Sequence, residues 1–282
     1  MSEALWPIGF AVFVWWFSTG LVLLLDGLPR TTFRWSHLIS SALAVLALVG
    51  LHRTAGQTSI ASAYCAFTCA LLVWGWHELS FLTGWVTGPR QQALSDGAAG
   101  WQRFVQATST LLWHELAILA TGVLIAVLTW GEANQVGMGT FAVLWFMRIS
   151  AKLNVFLGVR NLSLQLLPLH LRYLGSYFRK RAMNLLFPWV VTAATVVAVM
   201  LVREALAQPA GSAAAIGAWL VSTLLVLAIV EHWLLVLPLE ATALWRWAMH
   251  KPSSSQAASV VKPVALTSEM TLDSDDQLLH AR

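Results

Sequence analysis

Long apolar runs separated by short polar breaks dominate the chain, and seven of them approach the roughly 20 residues a helix needs to cross a hydrocarbon core. They predict spans near 6–25, 37–53, 59–83, 103–130, 136–158, 185–203 and 213–237. The second, HLISSALAVLALVGLH, is short. The fifth is interrupted by charge, because GTFAVLWFM runs directly into RISAKLNVFLGVRN. Between the fifth and sixth spans, residues 159–184 form a polar and basic loop punctuated by Asn161, Pro168 and Gly175. Its alternation of basic residues with Leu, Tyr and Phe predicts a short amphipathic segment on the membrane surface. Past Trp247 the apolar pattern stops. Residues 251–282, rich in Ser, Thr and Asp, predict a disordered cytoplasmic tail after a transmembrane domain over 1–250.

Composition narrows the class. Of 282 residues, 58% are hydrophobic and only 11% charged, which excludes an ordinary soluble domain and predicts an all-α, polytopic membrane bundle of about seven helices. The opening MSEALWP lacks a basic n-region and a small-residue cleavage site, so the first span reads as retained. Cys65 and Cys69, four apart, share a helix face as small packing groups and imply no disulfide.

The net charge of +4 is distributed by topology, not as a nucleic-acid patch. Arg160, Arg172, Arg179, Lys180 and Arg181 form the densest basic group. Counting spans outward from it places Arg30, Arg34, Arg90, Arg103, Arg246 and Lys251 on the same side, and only Arg53 and Arg203 on the other. The loop GEANQ between spans four and five carries no Lys or Arg. The positive-inside rule then predicts a periplasmic N-terminus and a cytoplasmic C-terminus, which requires an odd number of spans. Within the loop, SYFRKR reads as an anchor on anionic lipid or a docking surface for a partner. Trp6, Trp85, Trp101, Trp130, Trp189, Trp245 and Trp247 sit at span ends as interfacial belts, whereas Trp74, Trp76, Trp113, Trp145 and Trp233 lie well inside.

Charge inside the spans is the next signal. WGWHELSF supplies His77 and Glu78, LLWHELAI supplies His114 and Glu115, AIVEHWLL supplies Glu231 and His232, and the fifth span adds Arg148 and Lys152. Each charge at bilayer depth costs roughly 2.5–3.5 kcal/mol on insertion scales, so such groups turn inward and pair. At about 1.5 Å of rise per residue, His77 and Glu78 lie roughly 10 Å from the basic side, Glu231 and His232 at a similar depth or deeper, Arg148 about 15 Å and His114 about 18 Å. Helices running in opposite directions thus bring their polar groups to one band. The expectation is a single internal cluster of three carboxylates, three histidines, Arg148 and Lys152. Arg148 and Lys152, four apart, both face it.

Such a cluster can fix helix register, bind a cofactor or relay protons. A metal site is disfavoured because each His–Glu pair is adjacent in sequence, about 100° apart around its helix, and so one member turns away from a shared centre. Transporters usually place broken helices at repeat interfaces, and no internal repeat is present. A tetrapyrrole, bacteriochlorophyll included, suits a neutral histidine ligand enclosed by Trp74, Trp76, Trp113 and Trp233. No catalytic constellation stands out, and whether the chain is an enzyme stays open.

FAVLWFMRISAKLNVFLGVRN through LPLHLRYLGSYFRKRAMNLLFP, with WWFSTG, WGWHELSFLTG, TGPR, WHELA, EHWLLVLPL and ALWRW, resembles the PuhE family. These are photosynthetic-complex assembly proteins encoded beside the reaction-centre H-subunit gene in purple phototrophic bacteria. The resemblance runs to about residue 250. It implies a multi-pass protein of the inner (cytoplasmic or intracytoplasmic) membrane. It also implies a role in reaction-centre or light-harvesting assembly, or in bacteriochlorophyll supply, with those subunits or pigment-synthesis proteins as partners. A membrane enzyme of pigment metabolism using the same Glu/His set is the alternative. The family offers no active site that transfers residue by residue.

Overall fold

The computed structural model describes residues 2–239 together with Trp245, Trp247 and Ala248. The expected tail at 251–282, with Arg246 and Lys251, lies outside the described residues. Eight α-helices carry the fold: α1 Ser2–Asp26, α2 Phe33–Ala55, α3 Ile60–Leu82, α4 Gly100–Ser109, α5 Leu112–Leu128, α6 Val136–Leu157, α7 Leu186–Ala207 and α8 Ala213–Val236. Six are long and apolar enough to cross a membrane. A seventh crossing results if α4 and α5, bent by 64° where they meet, form one span. The described part is an all-helical bundle of membrane-crossing type.

α3 is the central helix, packed against α1, α2, α6 and α8, while α7 leans on α8 and α5 on α6 and α2. Its N-terminus is set by a capping box in which Ser59 and Ser62 satisfy each other's backbone N–H groups. One core joins Leu51, Ala66, Ala70, Val73, Ile118, Ile125 and Phe141 from α2, α3, α5 and α6. A second joins Ala11, Phe67, Leu71, Ile216, Leu220 and Leu224 from α1, α3 and α8. Without water to expel between lipid-solvated helices, association depends on close packing and polar ties, and small residues permit the approach. A Cβ at Gly137 would overlap Leu51, and one at Gly217 would overlap Val136.

The fourth predicted span, 103–130, is the one that departs from a continuous helix. Its break at Thr110–Leu111 contains neither Gly nor Pro. Instead the loop after α3 inserts there: Arg90 N–H donates to Ser109 O (3.2 Å) and His114 N–H donates to Thr87 O (2.8 Å). Two backbone groups that a straight helix would pair internally are satisfied by another segment. Gly88 makes the crossing feasible, since a Cβ there would strike the backbone of Ser109 and Thr110.

The two ends of the bundle are built differently. At one end the connections are tight, and Asn134 joins three helices. Its amide N–H groups donate to Thr54 O and Ser62 O, each at 3.2 Å, and its Oδ1 accepts from Val136 N–H. At the other end residues 158–185 fold back as a cap containing a 3₁₀ helix, Leu169–Tyr177. The chain leaves α6 through Gly158, at φ +126°, a left-handed conformation that an L side chain rarely adopts. Arg160, Arg172, Arg179, Lys180 and Arg181 are all exposed on this cap, which makes it the basic face.

Candidate functional site

Polar groups from five helices meet at the level of α6, in the half of the bundle nearer the basic face. Arg148 donates to Glu78 Oε2 on α3 at 2.8 Å. One turn on, Lys152 donates to Glu115 Oε1 on α5 at 2.6 Å. Between them in sequence, Ser150 contacts His232 Nε2 on α8 at 2.7 Å. His232 Nδ1 lies 2.8 Å from Ala228 O, a carbonyl that can only accept, so in the neutral ring Nδ1 carries the proton and Nε2 accepts from Ser150. A single helix, α6, therefore ties three others at one depth.

The other residues expected in the cluster lie around these ties, His77 and His114 both within electrostatic reach of Lys152. His77 is buried and bonded to Thr121 on α5 at 3.0 Å. His114 is fully buried with its ring 4.7 Å from Phe81 and 6.4 Å from His77, and neither ring nitrogen has a partner among the described residues. Glu231 lies beside Trp15 of α1 and within electrostatic reach of Arg148. Arg148 was expected inside, yet its side chain is 47% exposed on the bundle flank, where its length lets the guanidinium reach Glu78 from the rim. Among the described residues, no three His, Cys, Asp or Glu side chains converge as a metal site would need.

The four tryptophans expected to enclose a pigment do not share one wall. Trp74 is buried edge-on against Phe141 and Trp76 donates to Ser41 on α2. Trp113 and Trp233 face outward. A groove of about 300 Å³ does open between α4, α5 and α6, but Trp145 lines it and none of those four does. Of the belt tryptophans, Trp6, Trp85, Trp101, Trp130, Trp189 and Trp247 are exposed. Trp245 departs from the belt: it is buried, donates to Trp16 O at 3.2 Å and meets the edge of Trp15. Cys65 and Cys69 are free thiols with sulfurs 3.9 Å apart.

The cap is fastened by residues that hydropathy does not distinguish. Arg103, counted above as a topological charge, is buried. Its guanidinium stacks 3.8 Å over the Phe156 ring and donates to Phe156 O (2.8 Å) and to Tyr177 O. Asn184 donates to Asn154 Oδ1 and Gly158 O, each at 2.9 Å, and its own Oδ1 accepts from Leu186 N–H at the start of α7. Asn161 donates to Leu234 O at 2.7 Å and to Leu237 O, closing the end of α8. His170 bonds Leu82 O at 2.8 Å; burial pushes its pKa below the usual histidine value, and the bond to that carbonyl pulls the other way. In each case the partner is a carbonyl left free at a helix end, which composition cannot reveal.

A family model described as a protein of unknown function (DUF3623) matches residues 1–256. The chain belongs to the DUF3623 family. An uncharacterized 30.4 kDa protein of Rhodobacter capsulatus, named for its place in the puhA 5′ region, is 40% identical over 259 residues. That match covers 90% of this chain and 93% of the relative. No solved structure matches. The α6 segment that carries the interhelical ties falls inside the region shared with the DUF3623 family.

Proposed function

We propose that this chain is a membrane-embedded assembly factor of the bacterial photosynthetic apparatus, acting by contact with pigment-protein subunits or their pigment. The observation that carries the reading is how the intramembrane charges are used. Glu78 and Glu115 hold cations of α6, and His232 and His77 hold hydroxyls of neighbouring helices. A polar set engaged in helix-to-helix ties makes a rigid scaffold, which suits docking better than turnover. The genomic placement in the relative's name, together with the resemblance to the PuhE family, supplies the photosynthetic context. The five exposed cations of the cap face the cytoplasm in this reading, against anionic lipid or a partner's acidic surface, and the N-terminus faces the periplasm. The membrane is the inner, cytoplasmic or intracytoplasmic, membrane.

The test is disruption of the gene in a phototrophic host, with near-infrared absorption of the membranes and affinity purification of the tagged chain. Loss of assembled reaction-centre or light-harvesting complex, restored by the intact gene, together with recovery of their subunits on the tag, is the expected outcome. Accumulation of a pigment precursor with complex assembly otherwise competent would replace this reading with an enzyme of pigment metabolism.

A further inference from the structure

α4 is amphipathic in the reverse of the soluble sense. Its exposed positions Trp101, Phe104, Val105 and Thr108 follow the i, i+3, i+4, i+7 spacing of one helix face, and the first three are large and apolar. Trp101 is 75% exposed and stacks on Phe104 with ring centroids 5.3 Å apart. The opposite face is polar and turned inward. Arg103 is buried on the carbonyls of Phe156 and Tyr177, and Gln106 Oε1 accepts from Ser95 N–H at 3.1 Å. No exposed residue of α4 is charged. An apolar face turned outward marks a surface that something apolar covers.

The level and slope of the helix say what covers it. Arg103 holds α4 to Phe156, the last residue but one of α6, so α4 lies where a membrane-crossing helix ends. Its 10 residues are about 15 Å long. Inclined by 64° to α5, the helix advances less than half that distance along the α5 axis. α5 itself has 17 residues, the lower limit for a crossing, and needs no turn from α4 to complete one. An interfacial helix has this form: it lies along the surface and sinks a tryptophan-bearing apolar face about 5–10 Å into the headgroup–acyl boundary. The groove between α4, α5 and α6 extends the same surface, since Phe104 and Thr108 line it together with Leu116 and Leu119, exposed on α5. The apolar surface thus runs from α4 onto the flank of a crossing helix. A bilayer covers both, whereas a water-soluble partner would cover α4 alone.

We propose that α4 is a membrane-surface helix, with Trp101, Phe104 and Val105 inserted at the headgroup–acyl boundary of the leaflet on the basic side, and that uncharged lipid suffices as its partner. The inference stands independently of the assembly role. The test is spin labelling of the purified full chain carrying Cys65→Ala and Cys69→Ala, in phosphatidylcholine vesicles. One of Trp101→Cys, Gln102→Cys, Phe104→Cys, Val105→Cys or Thr108→Cys is added at a time, so the other positions still read the face if one variant fails to fold. Oxygen, which concentrates in lipid, and a water-soluble nickel chelate report what surrounds each label. Labels at positions 101, 104 and 105 are expected to be open to oxygen and shielded from nickel, and the label at position 102 open to nickel. Depths at positions 101 and 108 are expected to differ by less than about 5 Å. A depth rising by about 10 Å between those positions, the step of a crossing helix, would overturn the proposal. So would nickel access at 101, 104 and 105, or labels there immobilised and closed to both reagents, the sign of a protein partner on the face.

Discussion

The two ion pairs of α6 are four residues apart and alike in chemistry, yet they sit in different surroundings. Arg148–Glu78 spans α6 and α3, a seam that apolar packing already closes through Phe141, Val73 and Trp74. Arg148 is half out of the bundle and has Glu231 as a second nearby carboxylate. Lys152–Glu115 spans α6 and α5 where the apolar contact has given way to a groove. The buried apolar residues that α5 gives to the core, Ile118 and Ile125, lie further along the helix. α5 also begins at a break, so its first turn depends on outside partners. The same interaction is therefore supplementary in one place and principal in the other. A charge pair contributes most where few other contacts hold the seam.

Removing one partner at the open seam is the severest disturbance. Glu115→Leu leaves Lys152 unpaired against apolar walls and should cost about 3 kcal/mol. A lower unfolding temperature in detergent, with faster hydrogen exchange confined to α4 and α5, would register it. Removing both charges, Glu115→Leu with Lys152→Met, should restore most of that loss, because no uncompensated charge remains. If the double variant is no better than the single, the pair does not act as a unit. At the closed seam, Glu78→Gln should cost only about 1 kcal/mol, since Glu231 can take up Arg148 and apolar packing persists. Equal losses at Glu78 and Glu115 would erase the distinction between the seams. The smallest effect belongs to Thr121→Ala, about 0.5 kcal/mol by the same unfolding measurement, because His77 loses one neutral hydrogen bond.

Much of the architecture was legible because hydropathy reports on the solvent. A 23-residue apolar stretch such as 60–82 has one stable form in lipid, and the capping serines at 59 and 62 mark its start. The depth of the charged residues was legible too, since helical rise is constant and Arg148, Lys152, Glu78 and Glu115 could be set on one scale. Their rotation was not. Arg148 and Lys152 share a face in sequence, but that face lies across a seam, so they pair with different helices. The break before α5 carried no local signal, because its cause is a loop 20 residues earlier in the chain. Arg103 and Asn184 read as a topological charge and a loop residue, while their partners are carbonyls at the ends of other helices.

Apolar length and charge spacing by themselves determined a membrane-crossing helical bundle, a polar band at one depth and one strongly basic face. These depend only on what each residue costs in lipid and on the fixed geometry of an α-helix. Tertiary structure alone decided which carboxylate meets which cation, that α4 and α5 meet at an elbow, and that Glu115 and Trp145 border a groove. Those outcomes turn on helix rotation and on where distant backbone groups come to rest. Short-range packing and hydrogen bonding choose among rotations that hydropathy leaves equivalent.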